Sequence, residues 1–306
     1  MEFGKLNDIS NINFNLPPTP AFSQKILSAA AQSNQSLEVY IGCTGWANKS
    51  WQGTYYPSYA RTDDYLKHYA QQFNTVELNA THYQLPSVEM VKSWVKKVEN
   101  QPFKFAPKML QSVSHAGELK YAIPTMQHFC ENIRYFGQHL GIVFTQLPER
   151  VGVAQWADIE LYLKQFPKDI PHALEVRHPS FFEPKKNKIA DLAQLLADNN
   201  CTAVITDVAG RRDVAHTYIS NDTVVVRFVG NQNQPSDQKR VVEWVEKLRE
   251  WATLGLKKVY FFCHQPNNDV APELVSFLVG EIQQKTNWNV HPPKLWANPN
   301  QQFTLF

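Results

Sequence analysis

Two hydrophobic rhythms alternate along this chain. Short runs rich in β-branched and aromatic residues, each bounded by turn formers, recur at Glu38–Trp46, Thr75–Thr81, Phe103–Lys108, Gly141–Pro148, His172–His178, Thr202–Asp207, Thr223–Gly230 and Lys258–His264. Between them apolar residues return every three or four positions, which predicts amphipathic helices over Thr62–Phe73, Val88–Val98, Thr125–His139, Gln155–Phe166, Lys188–Asp198, Ser236–Leu254 and Pro272–Gln283. Strand and helix therefore alternate, which calls for parallel strands joined by right-handed crossovers. Eight such strands within about 250 residues favour closure into a TIM-barrel-like (β/α)8 α/β fold over an open sheet. One crossover departs from the rule. Between Asp207 and Thr223 the chain carries Gly210, Arg211 and Arg212 and no helical stripe, so the helix after the sixth strand is predicted to be short or missing. The pattern divides the chain into an N-terminal arm (1–37) with one helix near Ala21–Gln32, a barrel domain (38–285) and a Pro- and Asn-rich tail (286–306).

The motif record sharpens this by exclusion. An open nucleotide-binding sheet announces itself with G-x-G-x-x-G between its first strand and helix, whereas the first loop here reads GCTGWANKSWQG. No P-loop, G-x-S-x-G elbow or H-E-x-x-H is present. Lys plus Arg total 30 against 28 Asp plus Glu, a formal charge of +2, so no whole-molecule field draws in nucleic acid or a membrane, and any attraction for anions must be local. Apolar runs such as Val259–Cys263 are strand-sized, far short of the ~20 residues that span a bilayer. The first twenty residues hold Lys5 as their only cation and no apolar segment, unlike a secretory signal, and a cytoplasmic protein is expected. Cys43, Cys130, Cys201 and Cys263 lack metal-ligand spacing and read as small buried hydrophobes in a reducing compartment.

Candidate chemistry comes from strand parity. Side chains alternate between barrel interior and helix layer. In Thr75–Thr81 the apolar set Val76, Leu78 and Ala80 leaves Glu77, Asn79 and Thr81 inward; in His172–His178 the set Leu174 and Val176 leaves Glu175 and Arg177 inward. Charged residues are rarely buried unless partnered. Lys108, Arg177 and Arg227 fall near strand C-termini, with Gln146, Asp207 and His264 expected at similar heights, on the face where barrel enzymes hold their sites. His115 and His178 lie in neighbouring loops. Trp46, Trp51, Tyr55, Tyr56 and Tyr83 come from the first two mouth loops, either as a stacking wall for a flat ligand or as a hydrophobic lid. For Glu77 and Arg227 an ion pair that fixes strand register weighs equally with a functional role.

The runs GCTGWANKSWQGTYYP, TVELNATHYQLPS, FKFAPK followed by SVSH, FTQLP and LEVRHPSFF resemble, in order, the signature blocks of the domain of unknown function 72 family, also called YecE-like, over about Tyr40 to Val279. The resemblance implies a TIM-barrel-like fold and no established reaction. Glu77, Asn79, Lys108, Gln146, Glu175, Arg177 and His178 match its blocks directly, whereas RFVGNQN and FFCHQPNND depart from the usual endings of the seventh and eighth strands.

Three cations around a polar mouth favour an enzyme of hydrolase type acting on an anionic ligand, a phosphate-bearing small molecule or a nucleic acid end. Lys108, Arg177 and Arg227 would hold it and Glu77 or Glu175 would serve as acid or base. Asn79, Tyr83, His115, Gln146, His178 and Trp46 complete the expected ligand contacts. A version assisted by a divalent metal would take Glu77, Glu175, Asp207 and His264 or His178 as ligands. Two alternatives stand beside it: a glycosidase built on the two carboxylates, and a barrel that binds a ligand or partner without turnover.

Overall fold

The computed structural model describes residues 3–6, 8–32, 35–232 and 234–296; the remainder of the expected arm and tail, and Asn233 of the seventh-strand loop, lie outside the described residues. All eight expected strands form. In chain order the elements are α1 (Ala21–Ala30), β1 (Glu38–Gly42), α2 (Tyr65–Ala70), β2 (Thr75–Leu78), α3 (Ala80–Tyr83), α4 (Val88–Val98), β3 (Lys104–Pro107), α5 (Gln111–Ser114), α6 (Ile123–Ile133), β4 (Val143–Gln146), α7 (Trp156–Gln165), β5 (His172–Glu175), α8 (Lys188–Asp198), β6 (Cys201–Asp207), β7 (Thr223–Val229), α9 (Pro235–Leu254), β8 (Lys258–His264) and α10 (Ala271–Lys285). Several strands stop short of their expected C-terminal ends because those residues turn into the mouth loops. Asn79, for example, already has helical φ/ψ and leads into α3.

The helices begin and end where local chemistry directs. Ser87 caps α4 by accepting from the Met90 N–H, with Glu89 in its first turn and Lys96 and Lys97 in its last, each charge complementing the helix dipole. The expected helix Thr125–His139 is α-helical only to Ile133; it continues as a 3₁₀ segment, Arg134–His139, that Gly137 breaks at φ 55°. After β6 there is only a 3₁₀ turn, Arg212–Val214, as the missing apolar stripe foretold.

All pairings are parallel. Six strands form one sheet in the order β1-β8-β7-β6-β5-β4, and β2 pairs with β3. Sparse backbone bonds join the two sheets into a ring: the Glu77 N–H donates to the Cys43 carbonyl at 3.0 Å, Gly141 N–H to Phe105 O at 2.8 Å and Met109 N–H to Phe144 O at 2.9 Å. At the first of these junctions β1 and β2 approach so closely that a Cβ on Gly42 would lie 2.0 Å from the Thr75 carbonyl oxygen, so only glycine suits the position. Inside the ring, Ala106, Ile142, Phe144, Ala173, Val204, Val225, Tyr260 and Phe262 fill the lower barrel, and polar side chains lie above them. No helix among the described residues is long and apolar enough to cross a membrane.

The N-terminal arm climbs the outside of the barrel. Its helix α1 packs on α9. Thr19 Oγ1 accepts from Trp251 Nε1 (2.9 Å), the Phe14 carbonyl accepts from Arg212 Nη2 (2.9 Å) and the Gly4 carbonyl accepts from the Gly210 N–H (2.8 Å). This path delivers residues 3–6 and 8–10 to the C-terminal rim.

Candidate functional site

Arg227 on β7 lies at the centre of the polar layer, 1% exposed. Its Nη2 and Nε donate to the two carboxylate oxygens of Glu77, each at 2.8 Å, in the bidentate fork that guanidinium geometry favours. Nη1 reaches Glu175 Oε2 at 2.7 Å and Gln146 Oε1 at 3.3 Å. Arg177 Nε donates to the other Glu175 oxygen at 2.6 Å, while His264 Nε2 stands 2.9 Å from Glu77 Oε2 and Asn79 Nδ2 donates to Glu77 Oε1 at 2.9 Å. Five strands thus supply one hydrogen-bonded array, and both carboxylates are fully buried. Burial pushes their pKa values up, but the surrounding cations outweigh it. Arg227, then His264, holds Glu77 well below the usual carboxylate range, and Arg177 with Arg227 brings Glu175 down to about 2. Both glutamates stay ionised at neutral pH.

Lys108, just past the end of β3, is 8% exposed and donates to Gln146 Oε1 at 3.1 Å. Glu77, Glu175, Arg177 and Lys108 therefore meet at one rim, as strand parity predicted for the first three and position at a strand end for Lys108. Above them opens a cavity of about 960 Å³ whose lining includes Asn79, Tyr83, Lys108, Gln146, Arg177 and His264. The arm supplies one wall through Gly4–Leu6 and Asp8–Ser10, and the Phe3 ring lies 4.2 Å from the Arg177 guanidinium. A cavity of about 710 Å³ also opens at the opposite end of the barrel, among Glu38, Asn74 and His139. It lies at the end where strands begin, away from the ion array.

Several expected site residues lie elsewhere. Asp207 does not join the mouth. Val204 fills the barrel, so Thr206 shares its parity and Asp207 turns into the helical shell. There it accepts from Arg240 Nη2 at 2.8 Å, from Trp244 Nε1 at 2.6 Å and from Arg212. With Asp207 removed from the expected metal set, and Glu77 and Glu175 committed to guanidinium groups, no group of three or more His, Cys, Asp or Glu among the described residues is placed to hold a metal ion. Trp46 is not part of a stacking wall; it packs edge-on against Trp94 and Phe105 at 5.7 and 6.4 Å. Trp51, Tyr55 and Tyr56 are buried core residues, so of the five aromatics only Tyr83 lines the cavity. His115 lies 5.3 Å, ring to ring, from His82 and accompanies Ser114 Oγ at 2.9 Å. Burial, then the Lys108 and Arg150 charges, lowers its pKa.

His178 is a turn residue: its Nδ1 accepts from the Ser180 N–H at 3.1 Å and caps the 3₁₀ turn Pro179–Phe181. Replacing His178 by alanine is expected to cost about 1 kcal/mol, the usual worth of a lost cap. Urea denaturation measures the cost, and binding of sulfate at the mouth should be unchanged; a tenfold weaker affinity would instead put His178 in contact with ligand. Sequence reasoning missed the arm's wall and the loop Gly230–Gln232, which closes the far side with Gln265. Nothing in the periodicity of either segment signals its approach to the mouth.

The sequence profile of the family described as protein of unknown function DUF72 matches residues 40–298, so the match begins after the arm. The chain is 26% identical to the UPF0759 protein YecE of Escherichia coli K12 over 88% of this chain and 100% of that protein. Among solved structures, a DUF72 family protein from Enterococcus faecalis superposes with a TM-score of 0.64 at 20% identity, covering 87% of this chain and 100% of that one. A DUF72 family protein from Thermotoga maritima gives 0.56 at 21% identity, over 80% and 98%.

Proposed function

Because this chain belongs to the DUF72 family, whose description carries no reaction, we propose from the site itself that it is an enzyme whose barrel mouth takes a small anionic ligand, met by Lys108 and Arg177. The charge balance of the buried array carries this reading. Among the described residues of the array, three cations, Arg227, Arg177 and Lys108, stand against two carboxylates, Glu77 and Glu175, an excess of one positive charge. Arg227 is committed between the two acids and Arg177 is paired with Glu175, so the excess is presented by Lys108, whose hydrogen bond goes to the neutral Gln146 amide; Lys108 and Arg177 both line the cavity. Hydrogen bonds between charged groups in such a desolvated setting are the strong ones.

The same geometry weighs on the reaction. A glycosidase needs a carboxyl that keeps its proton and open space between its two acids, whereas here both acids are ionised and Arg227 lies between them. Hydrolysis of a phosphate-bearing ligand needs a group that exchanges a proton near neutrality, and in this array that group is Lys108 rather than either glutamate.

Binding of inorganic sulfate and phosphate, followed by calorimetry at low ionic strength, tests the reading. Lys108→Ala and Arg177→Ala should each weaken binding at least about tenfold, equivalent to the ~1.4 kcal/mol of one charged hydrogen bond. Unchanged affinity in folded variants would overturn the anion site.

A further inference from the structure

Lys108 is buried beside two carboxylates that are paired elsewhere. Among the described residues no carboxylate oxygen forms an ion pair with its Nζ. The two nearby acids are occupied, Glu77 by Arg227 and His264, Glu175 by Arg227 and Arg177, and the hydrogen bond from Lys108 goes to the neutral amide of Gln146. Its surroundings are polar and close to balanced in charge: the acids Glu77 from β2 and Glu175 from β5 stand against Arg177 past β5 and Arg227 from β7, with the imidazoles of His82 from α3 and His115 past α5 both shifted toward their neutral form.

Resting on the anion-binding reading above, we propose that Lys108 is a catalytic nucleophile that forms an imine with the carbonyl carbon of a small aldehyde or ketone bearing a carboxylate or phosphate, the anionic group lying against Arg177. The geometry gives it the three things that chemistry needs. The amine stands at the floor of the 960 Å³ cavity, with room above it for a substrate. Burial of the amine, with the Arg227 guanidinium second, disfavours the ammonium form, the desolvated setting that activates lysine nucleophiles. The ionised Glu77 and Glu175 then offer negative charge to the iminium cation once the bond is made. Burial first, then Arg227, brings the Lys108 pKa down to about 8, against the opposing pull of Glu77 and Glu175, so a useful fraction of free amine exists near neutral pH.

The step balances without any oxidant or reductant. The Nζ lone pair attacks the carbonyl carbon, a C–N bond forms and the π pair of the C=O bond moves onto oxygen. One proton passes from nitrogen to that oxygen, giving a carbinolamine. With one further proton from solvent the hydroxyl leaves as water while the nitrogen lone pair closes the C=N bond. Amine, carbonyl and one proton become iminium and water.

The test is reductive trapping on the full chain. The protein is incubated with glyoxylate and sodium cyanoborohydride over a range of pH, digested, and every lysine is scored for carboxymethylation by mass spectrometry. With a pKa of about 8 against the ordinary 10.5, Lys108 has a neutral fraction near pH 7 on the order of a hundredfold larger than an ordinary lysine. Even allowing for restricted access, it should label at least about tenfold faster than the exposed lysines, with a rate that levels off above pH 8. Lys108→Arg should lose that label while the others persist; should the variant fail to fold, the ranking of lysines within the wild-type protein decides the matter alone. Sulfate affinity is measured on the same sample. Sulfate binding with no preference for Lys108 overturns the nucleophile and leaves the anion site standing. Selective labelling without sulfate binding upholds the amine and overturns the clamp, and failure of both removes the two together.

Discussion

Arg227→Met is expected to destabilise the protein by about 3–5 kcal/mol, the cost of leaving buried charge without its partner. Methionine fills much of the space but offers no donors, so Glu77 keeps only His264 and Asn79 and Glu175 only Arg177. Urea denaturation monitored by circular dichroism measures the loss. A triple variant in which Glu77→Gln and Glu175→Gln accompany Arg227→Met should recover a large part of it, because amides cost far less to bury than carboxylates. A single variant within about 1 kcal/mol of wild type would mean that water reaches the array. The sign of the pH dependence follows from the same groups. Glu175 falls from the ordinary 4.5 to about 2 on folding. Between those values the unfolded chain binds the extra proton, so stability is present above 4.5 and is lost as pH falls toward 2. In Arg227→Met this acid limb should shrink, since the opposing cation is gone.

Asp207→Ala should bring a loss of similar size, about 3–5 kcal/mol, by a route that leaves the mouth intact. Arg240 is 1% exposed and would keep Asp237 at 3.4 Å and the Asp207 and Val229 carbonyls, but its strongest partner would be gone. The indole N–H of Trp244, also buried, would lose its acceptor. Sulfate binding should match wild type when measured well below the melting temperature of the variant. A stable Asp207→Ala protein with weakened anion binding would return Asp207 to the site.

The contrast between Glu77 and Asp207 shows what the sequence made legible. Glu77 sits in TVEL, between the apolar Val76 and Leu78, so parity alone sent it inward. Asp207 ends CTAVITD, where it shares the parity of the apolar Cys201, Ala203 and Ile205 that pack against the helices, so parity pointed it outward and only its place at a strand end suggested the mouth. The partner was readable instead on α9, where Asp237 and Arg240 stand on the same buried stripe as Val241, Trp244, Leu248 and Trp251. A charged pair in an otherwise apolar helical face announces a buried counter-charge opposite it. Strand count, the helices Val88–Val98 and Lys188–Asp198 and the missing sixth helix followed from local pattern, because each is decided within one segment. Trp46 and the arm did not. Their positions depend on partners far along the chain, Trp94 and Phe105 for one, Gly210, Arg212 and Trp251 for the other, and no periodicity records such pairings.

The division of the ring into a six-stranded sheet and a two-stranded one has a mechanical consequence. Glu77 and Lys108 ride on the smaller sheet, whereas Gln146, Glu175, Arg227 and His264 ride on the larger. The side-chain bonds Arg227 to Glu77, His264 to Glu77 and Lys108 to Gln146 therefore act as rivets between two plates that few backbone bonds fasten. Any displacement of one plate against the other would fall on those three bonds, the contact between the Lys108 amine and the Gln146 amide among them.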